Sequence, residues 1–203
     1  MPIKEKDNDN INKYITIVLA IAIIASVIIY LYITFTNTGD DSQLTEGETV
    51  LTLVYGENSE TFNFDQLLEM ESITDYGGYR TNKPSISGTG NWTGITVLSL
   101  VNYFDNAPEN YSLEINTSDG ETQLYSYDTV NRYVDIYDPV NASNSEPLGK
   151  DNVTMIVAYQ FEGNYFDESK DGKLRIAFVG KEGTITSAGL WWKFVNVIEI
   201  IAN

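Results

Sequence analysis

The chain has 203 residues, 29 acidic and 12 basic side chains, a formal net charge of −17, and neither histidine nor cysteine. Those two absences exclude Ser-His and Cys-His nucleophile machinery, zinc sites of the usual ligand set, histidine-ligated haem, iron–sulfur clusters and disulfides. So negative a surface repels phosphate backbones and anionic headgroups, and nucleic acid is therefore not expected as a partner.

Residues 1–13 form a short arm carrying Lys4, Lys6 and Lys13. The following run, 14–35 (YITIVLAIAIIASVIIYLYITF), has no charged residue. About twenty apolar residues cross the roughly 30 Å hydrocarbon layer, and a backbone in lipid must satisfy its own hydrogen bonds, so the run is expected to be a transmembrane helix. Tyr14, Tyr30 and Tyr32 stand near its ends, where aromatic rings favour the interface. No Lys or Arg follows until Arg80, so the positive-inside bias puts the arm in the cytoplasm and the remainder outside. A cleaved leader would end its apolar core after about 7–15 residues at a small-residue site such as Ala20-Ile21-Ala22. Here the apolar run continues past that point, and the reading adopted is an uncleaved signal-anchor of a single-pass cell-membrane protein. The absence of cysteine also excludes a lipoprotein anchor.

Three acidic and three basic residues precede the span, which leaves 26 acidic and 9 basic residues outside it. Residues 36–48 (TNTGDDSQLTEGE) are polar and read as a flexible stalk, and 49–203 suffice for one domain with a core rather than two. Within it, 50–55 is a strand followed by a turn at Gly56-Glu57-Asn58, and 64–70 has the three-and-four apolar spacing of a short helix. Strands are expected at 72–79 and 85–89, and a second short helix at 97–104. Alternation at 111–117 and 122–127 around Asp119-Gly120 predicts a hairpin. A long loop at 135–150 leads into 153–161 (VTMIVAYQF), apolar at nearly every position and therefore central. Strands at 174–179 and 194–201 complete an α+β, mostly β domain with two short helices.

Five N-x-S/T sequons, at Asn91, Asn110, Asn116, Asn141 and Asn152, suit a glycosylated exterior. Residues 167–172 (DESKDG) copy the start of a calcium loop, but its twelfth position is Phe178 instead of a bidentate Glu, so the segment reads as a turn and no metal site is expected.

Gly94-Ile95-Thr96, Ser118-Asp119-Gly120, Val157-Ala158-Tyr159 with Gly163, Gly172-Lys173-Leu174-Arg175, Val179-Gly180-Lys181-Glu182-Gly183, and Trp192-Lys193-Phe194-Val195 with Ile198-Glu199 occur in this order. Together they resemble the sulfite-oxidase-type oxidoreductase molybdopterin-binding domain, across 50–201. Stand-alone members run W-x-G-V-x-L, S-x-D-G, L-A-Y-x-x-x-G, G-G-P-L-R-L, P-G-x-x-G and K-W-V-x-x-I-E.

The resemblance implies a mixed-sheet fold and a cofactor cleft near Tyr79, Arg80, Lys181, Trp191, Trp192 and Lys193. Lys193 matches a lysine near the pterin phosphate, and Tyr79-Arg80 falls where relatives place cofactor-facing residues. One of Trp191 and Trp192 could stack a planar ligand; neighbours on a strand face opposite ways, so the other belongs to the core. Arg175, mid-strand, is expected to pair with a carboxylate. Catalytic members hold molybdenum through a cysteine thiolate, which this chain lacks, so molybdopterin is disfavoured and no catalytic residue is assigned.

Two function classes follow. One is a non-catalytic, membrane-tethered domain that binds a ligand or another surface protein. The other is a redox subunit that holds a molybdopterin-type cofactor through phosphate and backbone contacts without Cys ligation. The lysine asymmetry makes a topological prediction: protease added to intact cells should digest the chain after Thr36 and spare residues 1–13. Cutting of the arm with protection of the domain would reverse the orientation.

Overall fold

The computed structural model describes residues 47–203. The arm, the expected span at 14–35 and nearly all of the stalk lie outside the described residues, among which no helix is long and apolar enough to cross a membrane.

Two sheets carry the domain. The first has the order β2 (Asn58–Asn63), β1 (Thr49–Tyr55), β13 (Val195–Ala202), β5 (Tyr111–Thr117) and β6 (Thr122–Tyr125). Its β1–β13 pair is parallel and the remaining neighbours are antiparallel. The strict alternation of YSLEINT in β5 puts Tyr111, Leu113, Ile115 and Thr117 on the buried face. Leu51, Leu53, Ile198 and Ile200 extend that face across the partner strands.

The second sheet holds β10 (Asn164–Tyr165), β9 (Thr154–Phe161), β11 (Arg175–Gly180), β3 (Ser72–Arg80) and β12 (Thr186–Ser187). Strand β4 (Ile86–Thr96) pairs with both β3 and β9, and β11 pairs with both β9 and β3. Those four strands therefore close on themselves, leaving no open edge between them. Closure demands close approach of backbones. A Cβ on Gly94 would stand 2.3 Å from the Val157 carbonyl oxygen, and one on Gly77 2.7 Å from that of Phe178, so side chains are excluded at both points. Enclosure explains β9, where Met155 through Tyr159 are all buried, as the continuous apolar text anticipates.

Four short α-helices occur among the described residues, not two: α1 (Phe64–Glu69), α2 (Val97–Val101), α3 (Tyr127–Val130) and α4 (Glu168–Asp171), with a 3₁₀ turn at Ala188–Leu190. The first two are those the spacing predicts, and α1 opens with a capping box between Asn63 and Gln66. The other two are single turns set by side-chain caps, Ser126 for α3 and Asp167 for α4, too short for a hydrophobic period to reveal. Strand β2 has one buried residue, Phe62, and is held by its ladder to β1. Strand β4 runs past the expected 85–89 because pairing on both sides overrides its glycines. The loop at 135–150 begins and ends in a two-stranded ladder of β7 (Tyr133–Ile136) and β8 (Gly149–Asn152).

A chain starting at Leu44 is expected to fold cooperatively without reductant. Val157→Asp should abolish its thermal transition, since an unpaired buried carboxylate costs several kcal/mol against a total of about 5–15 kcal/mol. Unchanged melting would remove β9 from the core.

Candidate functional site

Strand β12 lies parallel to the end of β3, setting Thr186 beside Tyr79 and Ser187 beside Arg80. The Tyr79 ring packs 5.1 Å from that of Trp191, which also meets Trp92 edge-on at 5.0 Å. Trp191 is 8% exposed and its Nε1 donates to Thr186 Oγ1 at 2.7 Å, so of the adjacent tryptophans this one is the core residue. Trp192 is half-buried, with its Nε1 donating to the Gly189 carbonyl at 3.2 Å.

A cleft of about 230 Å³ opens beside them, lined by Asp119, Gly189, Trp191, Trp192, Lys193 and Phe194. Phe194 has φ 56, a left-handed conformation strained for a bulky side chain, and its N–H donates to the Asp171 carbonyl at 3.0 Å.

The expected cations take separate partners. Lys193 Nζ lies 2.7 Å from Asp171 Oδ1 and 3.3 Å from the Lys170 carbonyl oxygen. Lys181 pairs with Asp151 at 2.9 Å, and its hydrogen bond, followed by one from the Asn152 amide, holds the Asp151 carboxyl below the usual range. Arg80 donates from Nε to the Ala142 carbonyl at 2.9 Å and places its guanidinium 5.7 Å from the Tyr137 ring centre. The cleft beside Lys193 is lined by neither Arg80 nor Lys181. The structure thus gathers Tyr79, Trp191, Trp192 and Lys193 into one neighbourhood and ties Arg80 and Lys181 to other groups.

The strongest electrostatic feature is Arg175. Only 7% exposed, it donates from a terminal nitrogen to Asp171 Oδ1 at 3.0 Å, the carboxylate pairing anticipated for it, although it opens β11 instead of lying mid-strand. What the sequence text did not single out is its stacking, 5.0 Å from the Trp92 ring centre and 5.8 Å from that of Phe166. Its buried Nε has no partner. Asp171 thereby receives both Arg175 and Lys193 on one oxygen. The available signal was the W-x-G text at Trp92, which places an aromatic face on the strand next to β9.

The calcium-like segment has other work. Asp167 Oδ1 accepts from the Ser169 amide at 3.1 Å and from its hydroxyl at 2.7 Å, while Oδ2 pairs with Lys170 at 2.7 Å. Lys170 first, then Ser169, lower the Asp167 carboxyl from its ordinary 3.8 to about 2.

No protein-family model matches the chain, and no curated protein matches it. Among solved structures it is similar to the sulfane dehydrogenase SoxCD from Paracoccus pantotrophus, at 14% identity and a TM-score of 0.53. The likeness covers 79% of this chain and 40% of that one, so the chain spans less than half the length of that protein. At this identity it shows a fold alone: a mostly β, mixed-sheet domain similar to part of that protein and distant from it in sequence.

Asp171→Asn should destabilise the domain by about 3 kcal/mol, since breaking a largely buried pair leaves the Arg175 charge uncompensated. The double change Asp171→Leu with Arg175→Met should recover most of the loss, read as a double-mutant cycle in urea.

Proposed function

We propose that this chain is a membrane-tethered, extracytoplasmic, non-catalytic binding module built on a molybdopterin-oxidoreductase-type fold. Its partner is a small ligand or another surface protein, and nucleic acid is excluded by its charge. The observation that carries this reading is the state of the cations: Lys193 is answered by Asp171, Lys181 by Asp151 and Arg80 by the Ala142 carbonyl.

A molybdopterin-type cofactor needs cationic or backbone donors for its phosphate and, in catalytic relatives, a thiolate for the metal. The chain supplies no thiolate or imidazole at any position. Among the described residues no group of three or more Asp or Glu is placed to hold a metal ion. The cation best placed for a phosphate shares a carboxylate with buried Arg175. These residues do not fit the group.

The redox reading draws support from one feature, the cleft that brings Trp191, Trp192 and Lys193 together. Metal analysis of protein purified from its native membrane separates the two. The expected result is molybdenum and tungsten far below one atom per chain; a stoichiometric amount of either would replace the binding module with a redox subunit.

A further inference from the structure

Another cavity includes two residues of α4's neighbourhood, Glu168 and Lys173, and one of its rings, Phe166, also faces Arg175. It measures about 260 Å³ and is walled by Phe64, Tyr159, Tyr165 and Phe166, with Glu168 and Lys173 at its border. The phenyl ring of Phe64 meets Tyr159 at 6.2 Å and Tyr165 at 5.6 Å, both edge-on, and the two tyrosines stack at 6.3 Å. Tyr159 is 5% exposed and forms the floor, whereas Tyr165, on the two-residue edge strand β10, is 55% exposed and forms the outer wall.

The two charged side chains at the border, Glu168 and Lys173, pair with each other. Lys173 lies within ion-pair reach of both Glu48 and Glu168, the latter at 3.6 Å, and these carboxylates, Glu48 foremost, raise its pKa. At the border itself one carboxylate meets one ammonium, so the aromatic wall rather than a rim charge distinguishes the cavity, in a domain that is strongly acidic overall.

We propose that this cavity binds a small quaternary ammonium cation of the trimethylammonium class. Aromatic faces attract cations through the ring quadrupole, and the attraction grows when the cation is desolvated. The walls are rings, so they favour a cation that has no N–H donors to satisfy over a primary amine. The net negative charge of the chain disfavours phosphate- or carboxylate-only ligands. The volume is below the roughly 300–1,000 Å³ of pockets that enclose drug-sized molecules, and it suits a head group.

The inference rests on reading the domain as a binding module, but the two fail separately: metal content tests that reading, and ligand titration tests this cavity. The full chain in maltoside micelles, a detergent free of quaternary ammonium, is titrated with choline chloride against sodium chloride at matched ionic strength. A parallel titration uses 3,3-dimethylbutan-1-ol, the uncharged carbon isostere of choline. Saturation-transfer NMR should show saturable choline binding and at least tenfold weaker binding of the alcohol. Tyr165→Ala and Glu168→Gln, both at exposed positions, should each weaken choline about three- to tenfold without moving the thermal transition. Choline and glycerophosphocholine run side by side distinguish a free solute from a lipid headgroup, and tighter binding of either supports the cation site. Equal binding of choline and the alcohol, no saturable binding, or choline binding untouched by Tyr165→Ala would overturn the proposal.

Discussion

The carboxylate of Asp171 is the point on which the two halves of this domain depend. Enclosing the guanidinium of Arg175 costs its hydration, which Asp171, Trp92 and Phe166 replace with an anion and polarisable surfaces. The same residue, through its carbonyl, accepts from Phe194 immediately before β13, and Val195 donates to the Leu174 carbonyl at 3.1 Å. A strand of the closed second sheet and the central strand of the first are thereby joined through one turn. Gly172, at φ 73, permits it: a Cβ there would lie 2.6 Å from the Phe194 Cα. The strain at Phe194 is held in place by these contacts on both sides.

Legibility in the sequence followed the amount of apolar periodicity each element carries. Strand β5 and helix α1 expose alternation of two and spacing of three to four, and both stand where those patterns predict. Strand β9 reads as central because enclosure on both faces removes the need for polar alternation. Elements with no period of their own escaped. Strand β2 buries one side chain, β4 is interrupted by glycines that exist for strand closure, and α3 and α4 are turns made by caps. Their cause lies in tertiary pairing, which a local pattern does not contain.

Of the residues expected to share a cleft, Arg80 and Lys181 are held by other partners away from it. Tyr79 packs on Trp191, and Trp191, Trp192 and Lys193 line one cleft; Trp191 is buried and Trp192 half-buried, although the pair follows a 3₁₀ turn and precedes β13 rather than alternating on a strand. Which carboxylate meets each cation depends on chain segments brought together from elsewhere, such as Asp151 of β8 against Lys181. The ring-lined cavity was invisible for the same reason, because Phe64, Tyr159 and Tyr165 come from a helix and two strands.

The acidity of the domain bears on both sites in opposite directions. With 26 acidic and 9 basic residues from position 36 onward, several cations of this surface meet a carboxylate, which weakens them as an anion site. Lys193, Lys181 and Lys173 each show this, held by Asp171, Asp151 and Glu48. An aromatic wall is not neutralised in that way. Its attraction for cations is intrinsic to the rings, surrounding carboxylates strengthen it, and screening by salt weakens the carboxylate share while leaving the ring share at close contact. A domain this acidic is for the same physical reason better placed to hold a cation than an anion.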